Sequence, residues 1–228
     1  MTDLVFELPD GTTRAVTVSR LLNAGYAGRE QEEVAAHVAE LAELGVPAPA
    51  VTPAVYPVAP YLAAQVDEVP VQHGRTSGEA EWALVVAGPA PEDLLLTVAC
   101  DHTDRELEVH GVAWSKNAGL DVLGRGAWRL SDVEDHLDQL RLRAWVTSGG
   151  ADELIQDAPL AALLPPRYWL DEIAELLVPG TVLLSGTVAM LPGVDQFAER
   201  WRVELSDPVT GRTLDLAYRV ERMPEPIG

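Results

Sequence analysis

Glu79 and Glu81 stand one alanine apart in Thr76-Ser-Gly-Glu-Ala-Glu-Trp-Ala-Leu-Val-Val86, at the start of an apolar run with strand character. In a strand, residues i and i+2 project from one face with Cα atoms roughly 6–7 Å apart, so both carboxylates converge beside that run. Charge in such a place is costly unless donors or a cation meet it, and a divalent metal is the most economical single partner. A Glu-x-Glu at a strand entrance is ordinarily the wet face of an edge strand; what favours the metal reading is the company the pair keeps.

That company begins with Ala99-Cys-Asp-His-Thr-Asp-Arg-Glu-Leu-Glu108, where a hydrophobic strand runs straight into Asp101 and can deliver its carboxylate to the same rim. Three oxygen ligands, with water and substrate completing the sphere, suit Mg²⁺ or Mn²⁺, which favour hard donors at roughly 2.1 Å. Zinc fits less well, because neither His-x-x-x-His nor paired cysteines occur. His102 points to the opposite side of an extended segment from Asp101 and reads as a structural histidine. In Val112-Ala-Trp-Ser-Lys116 a lone lysine sits among apolar and aromatic residues. Near a bound oxyanion it would stabilise developing negative charge, and desolvation would lower its pKa toward proton transfer; the plain alternative is a surface lysine in a loop. Finally, Pro179-Gly-Thr-Val-Leu-Leu-Ser-Gly-Thr187 pairs a turn and a buried strand with a hydroxyl-rich corner able to offer backbone N–H groups and a threonine hydroxyl to a carboxylate.

The order of these pieces resembles the fumarylacetoacetate hydrolase superfamily, in a compact bacterial branch. Its Glu-x-Glu, Ala-x-Asp-x-Thr-x-Arg-(Asp/Glu), Trp-x-x-Lys-Ser and Pro-Gly-Asp-x-Ile-x-Thr-Gly-Thr segments recur here between Asn23 and Thr187. The resemblance implies metal ligands at Glu79, Glu81 and Asp101, a catalytic lysine at Lys116, substrate-facing residues at Arg105 and Glu108, and a threonine for substrate oxygen at Thr187. It also implies a mixed β-sheet roll, Mg²⁺ (or Mn²⁺) and a homodimer. The reactions implied break or rearrange bonds next to a 2-oxo acid or β-diketone. Many relatives carry Asn-Tyr-x-x-His-x-x-Glu near the amino terminus, whose histidine and glutamate activate water. Here the stretch from Asn23 through Tyr26 places Arg29 at the histidine and retains Glu33 as the acid. Arginine is no general base at neutral pH, so water activation of that form is not expected, and Arg29 joins Arg105 as a candidate clamp for a distal carboxylate. The lysine segment is one residue shorter than in many relatives.

Composition sets the frame for that chemistry. The chain has 228 residues, 47% hydrophobic and 23% charged, which is ordinary for a globular fold with a real core. Its formal charge of −20, from 36 acids against 16 bases, repels phosphate backbones and anionic membranes, so neither nucleic acid nor membrane is expected as a partner. An anionic substrate would need a local positive centre. Cys100 is the only cysteine and lies in an apolar run, where it reads as a buried inert thiol in a reducing, cytoplasmic setting. The amino terminus has neither a basic n-region nor an apolar h-region.

The elements that must position these residues follow from period and punctuation. Residues 3–8 and 13–18 alternate around Pro9-Asp-Gly11, predicting a hairpin. From Arg29 to Leu44 the apolar Val34, Val38, Leu41 and Leu44 fall at helical spacing, and Gly45 closes the segment. Residues 46–61, with five prolines, read as a rigid extended crossover. Strands are expected at 69–72, 78–87, 93–100, 105–113, 138–148, 181–188, 197–206 and 213–221, with helices at 131–137 and 168–177 and a hairpin turn at Asp207-Pro-Val-Thr-Gly211. The expected architecture is a β-rich α+β roll in one domain, 1–228, with a hairpin, helix and crossover over 1–68 and a metal-bearing body over 69–228. The function that follows is a divalent-metal-dependent enzyme of the hydrolase or lyase type acting on a small anionic 2-oxo or β-diketo acid, by C–C cleavage, isomerisation or hydration. The alternative is a metal- and ligand-binding protein of the same fold without turnover, its lid lacking a base at Arg29.

Overall fold

The structure, a computed structural model, describes residues 2–43, 45–225 and 227. Along the chain come β1 (Thr2–Glu7), β2 (Thr13–Val18), β3 (Arg20–Gly25), α1 (Gln31–Glu43), β4 (Ala54–Val58), β5 (Ala63–Ala64) and β6 (Glu68–Val71). They are followed by β7 (Thr76–Val86), β8 (Leu94–Asp104), α2 (Arg105–Glu108), α3 (Val112–Lys116), β9 (Asp121–Leu123) and β10 (Trp128–Arg129). The last part contains β11 (Arg141–Ser148), β12 (Ala151–Pro159), α4 (Pro166–Glu172), β13 (Thr181–Leu184), β14 (Arg200–Asp207) and β15 (Arg212–Arg222).

Three sheets stack. An eight-stranded mixed sheet runs β4-β3-β13-β7-β8-β9-β5, with β10 added on β8; a five-stranded sheet runs β12-β11-β14-β15-β6; the β1–β2 hairpin is the third. Strand period does the sorting. From β7, Trp82, Leu84 and Val86 enter a core shared with Leu142, Val146, Trp201, Val203 and Tyr218 of the five-stranded sheet. Ala83 and Val85 enter a second core with Leu4, Phe6, Val16 and Val18 of the hairpin. Leu95 and Ala99 of β8, Leu123 of β9, Leu21 of β3 and Val182 and Leu184 of β13 join that second core. By the two-residue period, Glu79, Glu81, Asp101, Asp121 and Asn23 occupy this same face, where the apolar stripe ends.

The result is the strand-rich α+β roll with mixed sheets that the sequence leads one to expect, and β1–β2, α1, β7, β8, β11 and β13–β15 overlap their expected spans. Leu44 lies outside the described residues. Gly45 follows α1 with φ +85°, and its N–H bonds to the Ala42 carbonyl, as a helix-closing glycine should. Within the proline-rich stretch, 54–58 pairs antiparallel with β3 as β4. One expected strand is corrected: 105–113 is not extended but forms α2 and the start of α3. Its cause is Asp104, whose Oδ1 caps α2 by accepting from the N–H groups of Glu106 (3.0 Å) and Leu107 (3.1 Å). Strands β3, β5, β9, β10 and β12 were not expected from the sequence pattern.

Candidate metal centre

The antiparallel pairings β7–β8 and β8–β9 put Glu79 opposite Asp101 and Asp101 opposite Asp121, a row of three acids across adjacent strands. Glu81 lies one side-chain step along β7. One oxygen from each of Glu79, Glu81 and Asp101 falls within 4.8 Å of the others, the one such cluster of potential metal-binding groups among the described residues. Glu81, Asp101 and Asp121 are fully buried and Glu79 nearly so.

Lys116, the only lysine in the chain, closes over this cluster from α3. Its Nζ donates to Asp101 Oδ2 and, at 3.1 Å, to Glu79 Oε2. Burial alone would depress the ammonium, but Asp101, Glu79 and Glu81 outweigh it and push its pKa well above the ordinary lysine range. The sequence expectation of a lowered lysine pKa is thereby corrected: the carboxylates that make the site acidic also hold Lys116 protonated. Burial raises Glu79 while Lys116 and Arg105 outweigh it, holding its carboxyl at about 2. Glu81 is different. Burial drives its pKa well up, Lys116 opposes this only in part, and Asp101, Glu79 and Asp121 add their repulsion. Its Oε2 accepts from the Gly186 N–H at 2.7 Å, whereas Oε1 is buried without a donor.

Gly186 makes this contact from a left-handed backbone, φ +80°, where a Cβ would stand 3.1 Å from the Ala24 carbonyl oxygen. The next residue, Thr187, donates to the Ala80 carbonyl at 2.8 Å and accepts from Gln156 Nε2 at 2.8 Å. Its hydroxyl is thus occupied with holding the corner onto β7. Gln156 also accepts from the Ala80 N–H at 3.0 Å, so β12, which the sequence pattern left unread, braces the strand carrying both glutamates.

Arg105 reaches into the cluster from the start of α2. Nη2 meets Glu79 Oε1 at 2.9 Å, Nη1 meets Glu108 Oε2 at 3.1 Å, and Nε donates to Ser77 at 2.7 Å. Glu108 is raised by burial, which the Arg105 charge only partly offsets. Tyr26 and Tyr56 border the same space: burial pushes Tyr26 up to about 12, with Tyr56, Glu108 and Glu79 adding to the effect, and burial also raises Tyr56.

Two candidate residues stand apart. Arg29 donates from both Nη atoms to Asp138, at 2.8 and 2.7 Å, and from Nε to the Leu163 carbonyl. Glu33 is exposed on α1. Counted from Tyr26, the family spacing falls on Glu32, which is exposed as well. His102 lies on the far face of β8, its Nδ1 2.9 Å from the Tyr218 hydroxyl and its Nε2 2.9 Å from Thr76 Oγ1. Cys100 beside it is buried, and burial pushes its thiol up.

Two residues of the site were missed. Asn23 and Asp121 are completely buried, and Asn23 Nδ2 donates to Asp101 Oδ2 at 3.1 Å and Asp121 Oδ1 at 3.2 Å. The signal for Asp121 was present: an acid inside Leu120-Asp-Val-Leu123 is as anomalous as Asp101 at the end of its own apolar run.

Residues 24–218 match the family described as Protein of unknown function (DUF2848). The chain belongs to the DUF2848 family. No curated protein matches it. Among solved structures it is similar to Cg1458 with inhibitor, at 21% identity and TM-score 0.65, over 92% of this chain and 81% of that one. It is also similar to 2-hydroxyhepta-2,4-diene-1,7-dioate isomerase from Mycobacterium marinum, at 17% identity and TM-score 0.61, over 97% and 87% of the two chains. A third is 2-keto-3-deoxy-D-arabinonate dehydratase complexed with magnesium and 2,5-dioxopentanoate, at 18% identity and TM-score 0.62, over 93% and 77%. These are members of the fumarylacetoacetate hydrolase superfamily, and the DUF2848 chain has their fold. No described helix is long and apolar enough to cross a membrane.

Proposed function

We propose that the chain is a Mg²⁺- or Mn²⁺-dependent enzyme acting on a small 2-oxo acid or β-diketo acid. The observation that carries this reading is the convergence of Glu79, Glu81 and Asp101 within 4.8 Å on one sheet face. Hard oxygen donors with net negative charge, one of them lacking any protein donor at Oε1, fit a divalent cation. Two of the similar structures are named for an isomerase and a dehydratase, one of them holding magnesium and a dioxo acid, which supports the same class. Bound there, the ion would supply Lewis acidity toward the carboxylate and keto oxygens of the substrate.

The protein's own groups do the rest. Lys116, held protonated, places a fixed positive charge where negative charge develops next to the keto group, and being charged it serves as an electrostatic stabiliser rather than a base. With Lys116, Arg105 keeps Glu79 ionised, and it orients Glu108 beside the cluster. Arg29 is held by Asp138 and Leu163 and cannot take a proton from water. This arrangement favours decarboxylation or keto–enol isomerisation over hydrolytic C–C cleavage or hydration. The protein is expected to work as a homodimer on a free anionic substrate.

The test is turnover of oxaloacetate and of acylpyruvates by metal-free protein and by protein loaded with Mg²⁺ or Mn²⁺, alongside Glu79→Ala and Asp101→Ala. Metal-dependent product that both variants abolish is the expected result. Tight ligand binding without product would leave a binding protein, and indifference to metal and to both substitutions would sink the metal reading.

A further inference from the structure

We propose that Asn23 and Asp121 act as a positioning pair that holds Asp101 in the geometry a divalent cation needs. The inference rests on the metal reading of Glu79, Glu81 and Asp101 and goes one layer behind it. The side-chain amide of Asn23 has two N–H donors and directs them at two carboxylates, Asp101 Oδ2 at 3.1 Å and Asp121 Oδ1 at 3.2 Å. Asp101 is further held by Thr103 Oγ1, which donates to Oδ1 at 3.2 Å, and by Lys116 on Oδ2. The chain of contacts is therefore Asp121 to Asn23 to Asp101. An acid side chain fixes an amide, and the amide fixes the orientation of a metal-binding carboxylate, the same logic by which outer carboxylates orient metal-bound histidines.

A packing role alone explains the pair poorly. Both residues are 0% exposed and sit where the second core ends, on the face that carries Leu21 of β3, Ala99 of β8 and Leu123 of β9. Both also carry a buried atom with no partner, Asn23 Oδ1 and Asp121 Oδ2. An acid placed in register beside another acid, with an oxygen left unmet, is costly, and apolar residues of similar volume would be cheaper in a purely structural site. Three strands contribute one residue each: register sets Asp101 of β8 beside Asp121 of β9, and Asn23 reaches both from β3, which β13 and β7 separate from β8 within the sheet.

The experiment is calorimetric titration of Mn²⁺ into wild type, Asp121→Ala, Asp121→Asn, Asn23→Ser and Asp101→Asn, with thermal unfolding of each metal-free protein to establish that it is folded. Asp121→Ala and Asn23→Ser are expected to raise the Mn²⁺ Kd by about 10–100-fold, while Asp121→Asn, which keeps an oxygen for Asn23 to bond, stays within about threefold. An unchanged Kd in either truncation overturns the proposal, and so does Asp121→Asn weakening binding as much as Asp121→Ala, which would make Asp121 a direct ligand. Should Asp121→Ala fail to fold, Asn23→Ser carries the decision. Failure of the underlying reading looks different: wild type would bind no Mn²⁺, or Asp101→Asn would bind it undiminished, and either result removes the pair's role along with the site.

Discussion

Glu81 and Lys116 occupy the same few ångströms yet hold opposite kinds of proton. Glu81 is pushed by burial and by three neighbouring acids toward its neutral form, so a cation that takes its carboxylate must displace a proton. Mn²⁺ affinity is accordingly expected to strengthen with rising pH, by about tenfold per unit below the raised Glu81 pKa. Titrations in buffers of differing ionisation enthalpy should report about one proton released per ion; zero release would show that Glu81 is already ionised or takes no part. Lys116 is pushed the other way, its ammonium favoured by Asp101, Glu79 and Glu81. Replacing it, Lys116→Met, should cut turnover by about 100-fold or more without weakening Mn²⁺ binding, because the ammonium donates to two of the same carboxylates. A variant that turns over at the wild-type rate would remove Lys116 from the chemistry.

At the scale of elements, the site depends on where strands stop and what turns follow them. Glu79, Glu81 and Asp101 were legible because β7 and β8 are long and period-two alternation puts all three on one face. Asp121 showed only as an acid among apolar neighbours, because β9 spans just Asp121–Leu123 and three residues display no period to assign it a face. The segment 105–113 misled for a different reason: its aliphatic residues look strand-like, but the Asp104 carboxylate supplies the α2 N–H groups with a partner at once. β12 was hidden by its Asp, Glu and Gln content, of which Gln156 is the residue that matters to the site. Arg105 and Thr187 were expected to face substrate, and pairwise reasoning along a sequence could not reveal that their donors are engaged with Glu79, Glu108 and Ala80. The corner after β13 offers a direct check. Gly186→Ala forces an L side chain into a left-handed conformation against the Ala24 carbonyl, and should cost about 1–2 kcal/mol in chemical unfolding. Because the Gly186 N–H serves Glu81, Mn²⁺ affinity should fall with it; loss of stability with unchanged affinity would show that this hydrogen bond does not shape the site.

Across the whole molecule, β8 carries chemistry on one face and structure on the other. His102 joins Thr76 of β7 to Tyr218 of β15, linking the eight-stranded and five-stranded sheets through their shared core. Burial lowers its pKa from 6.5 to about 4, so between those values the unfolded chain binds the proton and the folded chain does not. Stability from this group is thus fully present above pH 6.5 and is lost as pH falls toward 4, by about 3 kcal/mol. Urea unfolding of wild type and His102→Gln from pH 7.5 to 4 should show that difference in slope; parallel curves would mean that His102 titrates normally.

Lys116 is the only lysine in the sequence, and it lies 5% exposed against Asp101 and Glu79 of the candidate centre. Every other cationic side chain of fixed charge is an arginine. Amine-directed reagents therefore find, apart from a terminal amine, a single internal target, and it belongs to the site itself. Only the free amine reacts, so Lys116, buried and held protonated by Asp101 and Glu79, should resist reductive methylation while a terminal amine is modified, and any gain at Lys116 in peptide mass mapping reads a change at the centre, without mutation and before any product has been identified.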